Sequence, residues 1–283
     1  MMLSPFEYSA QELEIMRAGF AIAFLFTLDD LKFFASQGDY YRPVGIARWL
    51  DLSWLSRHRR LLDRISLVAL MAYVLDLQTP WALLFLTLYL LCQVTVRGST
   101  AGVSHEPVLV VAVAQMAAIG IWDASTQWSW DLGHWVATSQ ADTMVWWTVQ
   151  ALVALYFTSG LSKVLLSGGR WIQRSPGLLV AAAARLETSG AMAVGGSQRK
   201  RARVEGYIGL LLARPQTARV LFAGGLFVEL WSPLGLVGEN AMLAVGVALL
   251  GLHWANGRLL LLPCAVYQIL VFVYLVNLPR LWN

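Results

Sequence analysis

A few side chains in this sequence combine a reactive type with an unusual setting. Lys163 closes the apolar stretch 144–163, just past the small-residue step Thr158-Ser159-Gly160. A lysine at the end of such a stretch can be an anchor that reaches for water. It can equally be a partly desolvated amine, available in its neutral form as a base. His105 lies in Ser104-His105-Glu106, just ahead of another apolar stretch. His253 and Asn256, in Leu252-His253-Trp254-Ala255-Asn256, are three residues apart and share one helical face. Glu229 is set deep in the apolar segment Leu226-Phe227-Val228-Glu229-Leu230-Trp231. A carboxyl group there needs a basic partner or a proton. Arg17, at the start of the first apolar segment, is the natural structural partner for such an acid.

Together these residues suggest proton transfer in an apolar setting. Other chemistries find no support. No metal-ligand spacing, glycine-rich phosphate loop or serine triad is present. Cys92 and Cys264 both fall in apolar runs and form no disulfide framework or metal motif. His134 and Asp131 sit in a Trp-rich polar stretch and read as solvated polarity. A purely structural hydrogen bond would also account for His253.

The elements that must position these groups follow from composition. Of 283 residues, 58% are hydrophobic and only 13% charged, and the mean hydropathy is +0.58. That is about half the charged fraction of an ordinary soluble domain. The chain reads as an all-α, polytopic membrane bundle without a soluble domain, since helices satisfy their own backbone hydrogen bonds in lipid. Thirteen Trp suit the interfacial belts of such a bundle. The net charge of +4 then reports orientation rather than nucleic-acid binding, which is not expected.

About eight spans are expected across one domain, 1–283. Residues 1–15 read as an interfacial lead-in, acidic and without the basic start of a cleavable signal peptide. The spans fall near 16–34, 64–77, 80–96, 107–122, 144–163, 217–237, 239–254 and 257–277. Two long basic connections, 35–63 and 164–216, separate some of them. The second holds a possible half-helix at 176–187, the basic run Arg199-Lys200-Arg201-Ala202-Arg203, and a re-entrant or interfacial turn at 205–213. Asp76-Leu77-Gln78-Thr79-Pro80 reads as a tight helical hairpin turn, and Pro107 as a first helical residue. Pro233 should bend or end span six. With this map nearly all loop Lys and Arg fall on one side, which places both termini outside the cell membrane.

Several of these segments, taken in order, resemble one family. Tyr156-Phe157-Thr158-Ser159-Gly160-Leu161-Ser162-Lys163 followed by Ser167-Gly168-Gly169-Arg170-Trp171 is similar to the Tyr-Phe…Gly-x-x-Lys…Trp signature of vitamin K-dependent γ-carboxylases and their bacterial relatives with the HTTM, or horizontally transferred transmembrane, domain. Ser104-His105-Glu106 with the later Trp128-Ser129-Trp130-Asp131 resembles that family's Asn-His segment and its Trp-Ser-x-Asp. Leu252-His253-Trp254-Ala255-Asn256 resembles its Phe-His-x-x-Asn, and Arg17 with Gly19, more loosely, its first-span Arg-x-x-x-Gly. Ser162 stands where carboxylases often carry a second basic residue.

The resemblance implies a membrane enzyme in which Lys163 acts as base on a bound quinol, assisted by His105, with His253 and Asn256 lining the quinol pocket. Reaction with oxygen then gives a stronger base that removes a proton from a glutamate side chain before carbon dioxide adds. The implied cofactor is a vitamin K-like quinol and no metal. The implied partners are membrane lipids and a peptide substrate or partner protein. A non-catalytic HTTM subunit in peptide maturation, export or immunity is the alternative. Transport lacks the inverted repeat that would favour it.

Overall fold

A computed structural model of the chain describes residues 7–28, 52–101, 107–126, 138–180, 183, 198–259 and 264–277. All secondary structure among the described residues is helical. The chain divides into two compact units, 1–152 with 277–283, and 153–276. The division falls inside one continuous helix.

The first unit contains α1 (Ala10–Leu25), α2 (Leu52–Val74), α3 (Thr79–Ala101), α4 (Pro107–Thr126) and the start of α5 (Thr138–Leu166). Helix α1 begins earlier than the span expected from 16, inside the segment read as a lead-in. The reason is local: the Ser9 side chain accepts from the Glu12 backbone N–H, and the Glu12 carboxylate accepts from Ser9, a complete capping box. Asp29, Asp30 and Lys32 lie outside the described residues.

Helix α2 likewise extends well ahead of the span expected at 64–77. Its first three turns take up residues read as part of a basic connection. The charges there do not prevent a helix; Arg59 and Asp63 pair one turn apart at 3.4 Å. The hairpin turn that follows is borne out. Asp76 (φ 56°) and Gln78 (φ 52°) take left-handed backbone conformations, and α3 starts at Thr79. Pro107 opens α4 as expected.

Helix α2 packs on α1 and α3, and α4 on α3 and α1. The shared core is aromatic: Phe20 lies 5.1 Å from Tyr73, and Phe24 5.9 Å from Tyr89, between ring centroids. The Tyr73 hydroxyl donates to Gln115 at 2.9 Å, which satisfies two buried polar groups at once. The opposite stripe of α2 is just as apolar, yet open. Leu61, Ile65, Val68, Met71 and Leu75 recur at helical spacing and are all exposed, Val68 by 70%.

The second unit holds the rest of α5, then α6 (Trp171–Arg174), α7 (Gln198–Ala213), α8 (Pro215–Trp231), a 3₁₀ turn (Ser232–Leu236), α9 (Glu239–Leu259), α10 (Ala265–Val271) and a π turn (Phe272–Val276). Residues 176–180 are also helical, where a half-helix was expected. The stretch 205–213 is a correction. It is the C-terminal part of the regular helix α7, not a turn, because Ile208 and Leu211 supply an apolar face that packs with Leu179 and Ala218. Pro233 ends the α-helical part of span six in the 3₁₀ turn, as its missing N–H requires.

Among the described residues two helical stretches are long and apolar enough to cross a membrane, Ala141–Leu166 and Pro215–Leu236. Shorter apolar helices cover Thr79–Thr95, Pro107–Ile121 and Ala265–Val276.

Candidate functional site

The site is built on one stripe of α5. Val153, Tyr156, Gly160 and Lys163 recur at three- and four-residue steps, so they stand in line on the helix. Each meets α8, the 3₁₀ turn or α9. The Val153 carbonyl accepts from the Ser232 hydroxyl at 3.1 Å. Gly160 lets the helices close: a Cβ at that position would lie 3.0 Å from the Glu229 Cβ and 3.2 Å from the Leu230 side chain. This close approach is what brings Lys163, one turn further on, into reach of Glu229.

The Lys163 ammonium donates to both carboxylate oxygens of Glu229. The lysine side chain remains 29% exposed, the glutamate 8%. The amine also lies 5.3 Å from the centroid of the Trp171 ring, within cation–π range. Trp171 reaches that place through the turn after α5. Gly168 (φ 59°) and Gly169 (φ 76°) take left-handed conformations, the Gly169 N–H bonds to the Val164 carbonyl at 2.9 Å and the Gly168 N–H to that of Leu165 at 3.2 Å. That is the paired bonding of a Schellman stop. Trp171 is then held edge-on against Phe222 of α8, at 5.9 Å.

The second half of the site is His253 on α9. It is 7% exposed, and its Nε2 is 2.5 Å from the Tyr156 hydroxyl. The imidazole stacks on Tyr267 with centroids 5.0 Å apart and planes 30° apart. Its Nδ1 is buried without a hydrogen-bond partner. In either tautomer, then, a ring proton or a lone pair is left unsatisfied, and such a group is costly to bury unless a ligand or water meets it. Tyr156 and Lys163 stand seven positions apart on α5, so the two halves lie two turns from one another along one stripe of that helix.

Set against the expectations, Lys163 meets Glu229 directly, whereas His253 meets Tyr156, two turns earlier on the same stripe of α5. Asn256 follows His253 by one turn of α9 and is half-buried. His105 lies outside the described residues. Arg17 belongs to the first unit and is not the partner of Glu229. It pairs with Asp76 at 2.9 Å, because α1 packs against α2 and that aspartate stands in the turn just after α2. The acid of α8 finds its base on α5 instead.

Two contributors carried no role in the sequence reading. Tyr156 fixes the imidazole, and Trp171 lies against the amine. The signal for both was the spacing: a tyrosine, a glycine and a lysine at positions one, five and eight share a helix face, and two glycines ahead of a tryptophan fold it back. Among the described residues no three His, Cys, Asp or Glu side chains gather as metal ligands. No protein-family model, curated protein or solved structure matches this chain.

Proposed function

We propose that this chain is an integral membrane protein with a carboxylase-like, HTTM-type core of about eight spans and both termini outside, and that its second unit binds a lipophilic quinol with Lys163 as the base. The membrane part of the reading is supported by the two long apolar helices and by the exposed apolar stripe of α2, which suits lipid better than water.

The observation that carries the functional part is the amine of Lys163, shared with Glu229 on the same stripe of α5 that carries Tyr156 to a buried imidazole with a free ring nitrogen. A lysine–glutamate pair holds one transferable proton. In an apolar surround, moving it from the ammonium to the carboxylate trades two charges for two neutral groups and offsets their desolvation. The neutral amine is then a base for a phenolic hydroxyl. His253 Nδ1, flanked by the rings of Tyr156 and Tyr267, fits a second hydroxyl or carbonyl on a flat aromatic ligand. A bound quinol would supply the oxygen-linked chemistry, and the chain would hold it and take its proton. The acceptor of any carboxylation would be a glutamate-bearing peptide.

A second reading has an observation of its own. Both carboxylate oxygens are committed to the ammonium, and Gly160 closes the helices over them. The pair would then be a cross-link in a non-catalytic maturation, export or immunity subunit.

The test is turnover by the purified protein in detergent, supplied with a naphthohydroquinone, oxygen, labelled bicarbonate and a glutamate-rich peptide, followed as quinol consumption and as label fixed. Lys163→Gln paired with Glu229→Gln keeps the two side chains neutral and hydrogen-bonded. It should melt like the wild type and lose activity by about 100-fold or more, as expected for a missing general base. Wild-type protein that consumes no quinol, or a double variant as active as the wild type, would overturn the enzymatic reading.

A further inference from the structure

Helix α7 serves no part of the site, yet its two ends differ in a way that identifies a partner. Four of the five residues 199–203 are basic, Arg199, Lys200, Arg201 and Arg203, and they occupy its first turns. The C-terminal turns are apolar and two-sided. Ile208 and Leu211 are buried in the unit's core, whereas Tyr207 and Leu210 stand 51% and 52% exposed. At 100° per residue, positions 199, 203, 207 and 210 fall within one quadrant of the helix, and 208 lies opposite. One edge of α7 thus runs from basic positions to an open tyrosine and leucine. The apolar edge continues nearby: Leu178 and Val180, on either side of buried Leu179, are exposed as well.

A soluble protein partner would explain the open leucine and tyrosine, but not a dense block of like charge that such a partner would have to desolvate. A bilayer surface matches both parts. Anionic headgroups attract basic residues without stripping them of water, and Tyr with Leu enters the boundary between headgroups and chains. Arg170, Arg174 and Arg214 are exposed in the neighbouring connections and add the same sign of charge, against a single exposed acid on α7, Glu205. We propose that α7 is an interfacial helix bound to an anionic lipid leaflet, its basic first turns on the phosphates and its Tyr207–Leu210 edge in the acyl boundary. This inference rests on the membrane reading and is independent of the quinol chemistry.

The experiment uses the full chain in lipid nanodiscs of phosphatidylcholine, with and without phosphatidylglycerol, and follows backbone hydrogen exchange across 198–213 by mass spectrometry. Phosphatidylglycerol should slow exchange there about tenfold or more, since every Lys or Arg near an anionic surface adds to the attraction. High salt should remove most of that slowing. Replacing Arg199, Lys200, Arg201 and Arg203 together with Gln should abolish the lipid dependence without changing the melting of the rest of the chain. Tyr207→Ser with Leu210→Ser should speed exchange in both lipids while leaving the salt dependence in place. Equal exchange in the two lipids, or protection that survives the fourfold Gln replacement, would overturn the inference. So would protection that appears only when a soluble protein is added. A chain that stays in solution without detergent would instead sink the membrane reading as a whole.

Discussion

Among the described residues each unit holds one ion pair that ties helices together, and the two pairs are built differently. In the first unit Arg17 of α1 meets Asp76, in the turn after α2, at 2.9 Å. Asp76 is also held by its own backbone, at φ 56°, and by the Thr79 hydroxyl, which donates to it at 2.6 Å. A guanidinium does not give up its proton in a protein, so this pair can only position. In the second unit Lys163 and Glu229 face each other from two long helices, with no turn between them and a glycine setting their distance. Both partners can change protonation state. One pair locks a corner, while the other is the pair to which the proposed function assigns a moving proton. The contrast shows why an ion pair's chemistry depends on which base is used and on what else holds the acid.

The largest effect should come from breaking the second pair on one side. Glu229→Leu leaves an ammonium against apolar surface without its counter-charge. Removing one partner of a buried pair costs about 3–5 kcal/mol, and the partly exposed lysine puts this case at about 3. Adding Lys163→Met should recover most of that loss, since two apolar side chains of similar size can replace a buried pair at little cost. Denaturation of the single and double variants in detergent measures the difference. A double variant no more stable than the single would mean that the pair is not what joins α5 to α8.

Next comes the spacing that makes the pair possible. Gly160→Val would push a branched side chain into atoms 3.0 and 3.2 Å away, on Glu229 and Leu230. Overpacking of this kind costs about 1–3 kcal/mol. It should also reach the site: with the helices forced apart, cross-linking yield between Cys replacements at 163 and 229 should fall well below that of the same Cys pair with Gly160 in place. Unchanged yield would show that the helices give way elsewhere and that Gly160 is not the spacer.

How much of this was legible in the sequence differs between the two pairs. The helical class was legible, because the long apolar runs of a chain with so few charges suit helices, which satisfy their own backbone hydrogen bonds. The hairpin at Asp76, the helix start at Pro107 and the helix end at Pro233 were legible because proline and turn residues act locally. The lysine, glutamate and histidine of the second unit stood out because each is expensive in an apolar helix. Their pairing did not, since which acid meets which base is decided by helix packing across a separation of 66 positions in the chain. The pairing of Arg17 with Asp76 is hidden for the same reason: the turn sequence around Asp76 carries no sign of a distant partner. The capping box at Ser9 and Glu12 was readable three residues apart, and would have moved the first helix back to its true start.

The smallest effect tests the corner pair, where charge and backbone can be separated at one residue. Asp76→Asn keeps a side chain that tolerates a left-handed conformation and an oxygen that still accepts from Thr79. What it loses is the charge facing Arg17. Both side chains of that pair are partly open, at 17% and 22%, so the loss should be below about 1 kcal/mol. Asp76→Val removes the same charge, and in addition puts a β-branched residue at φ 56°, where an L side chain costs about 1–2 kcal/mol. The two variants should therefore melt in the order wild type, Asn, Val, with the wider gap between Asn and Val. If Asn proves as damaging as Val, the electrostatic term dominates this corner, and the distinction drawn between a pair that positions and a pair that can exchange a proton would have to rest on the guanidinium alone.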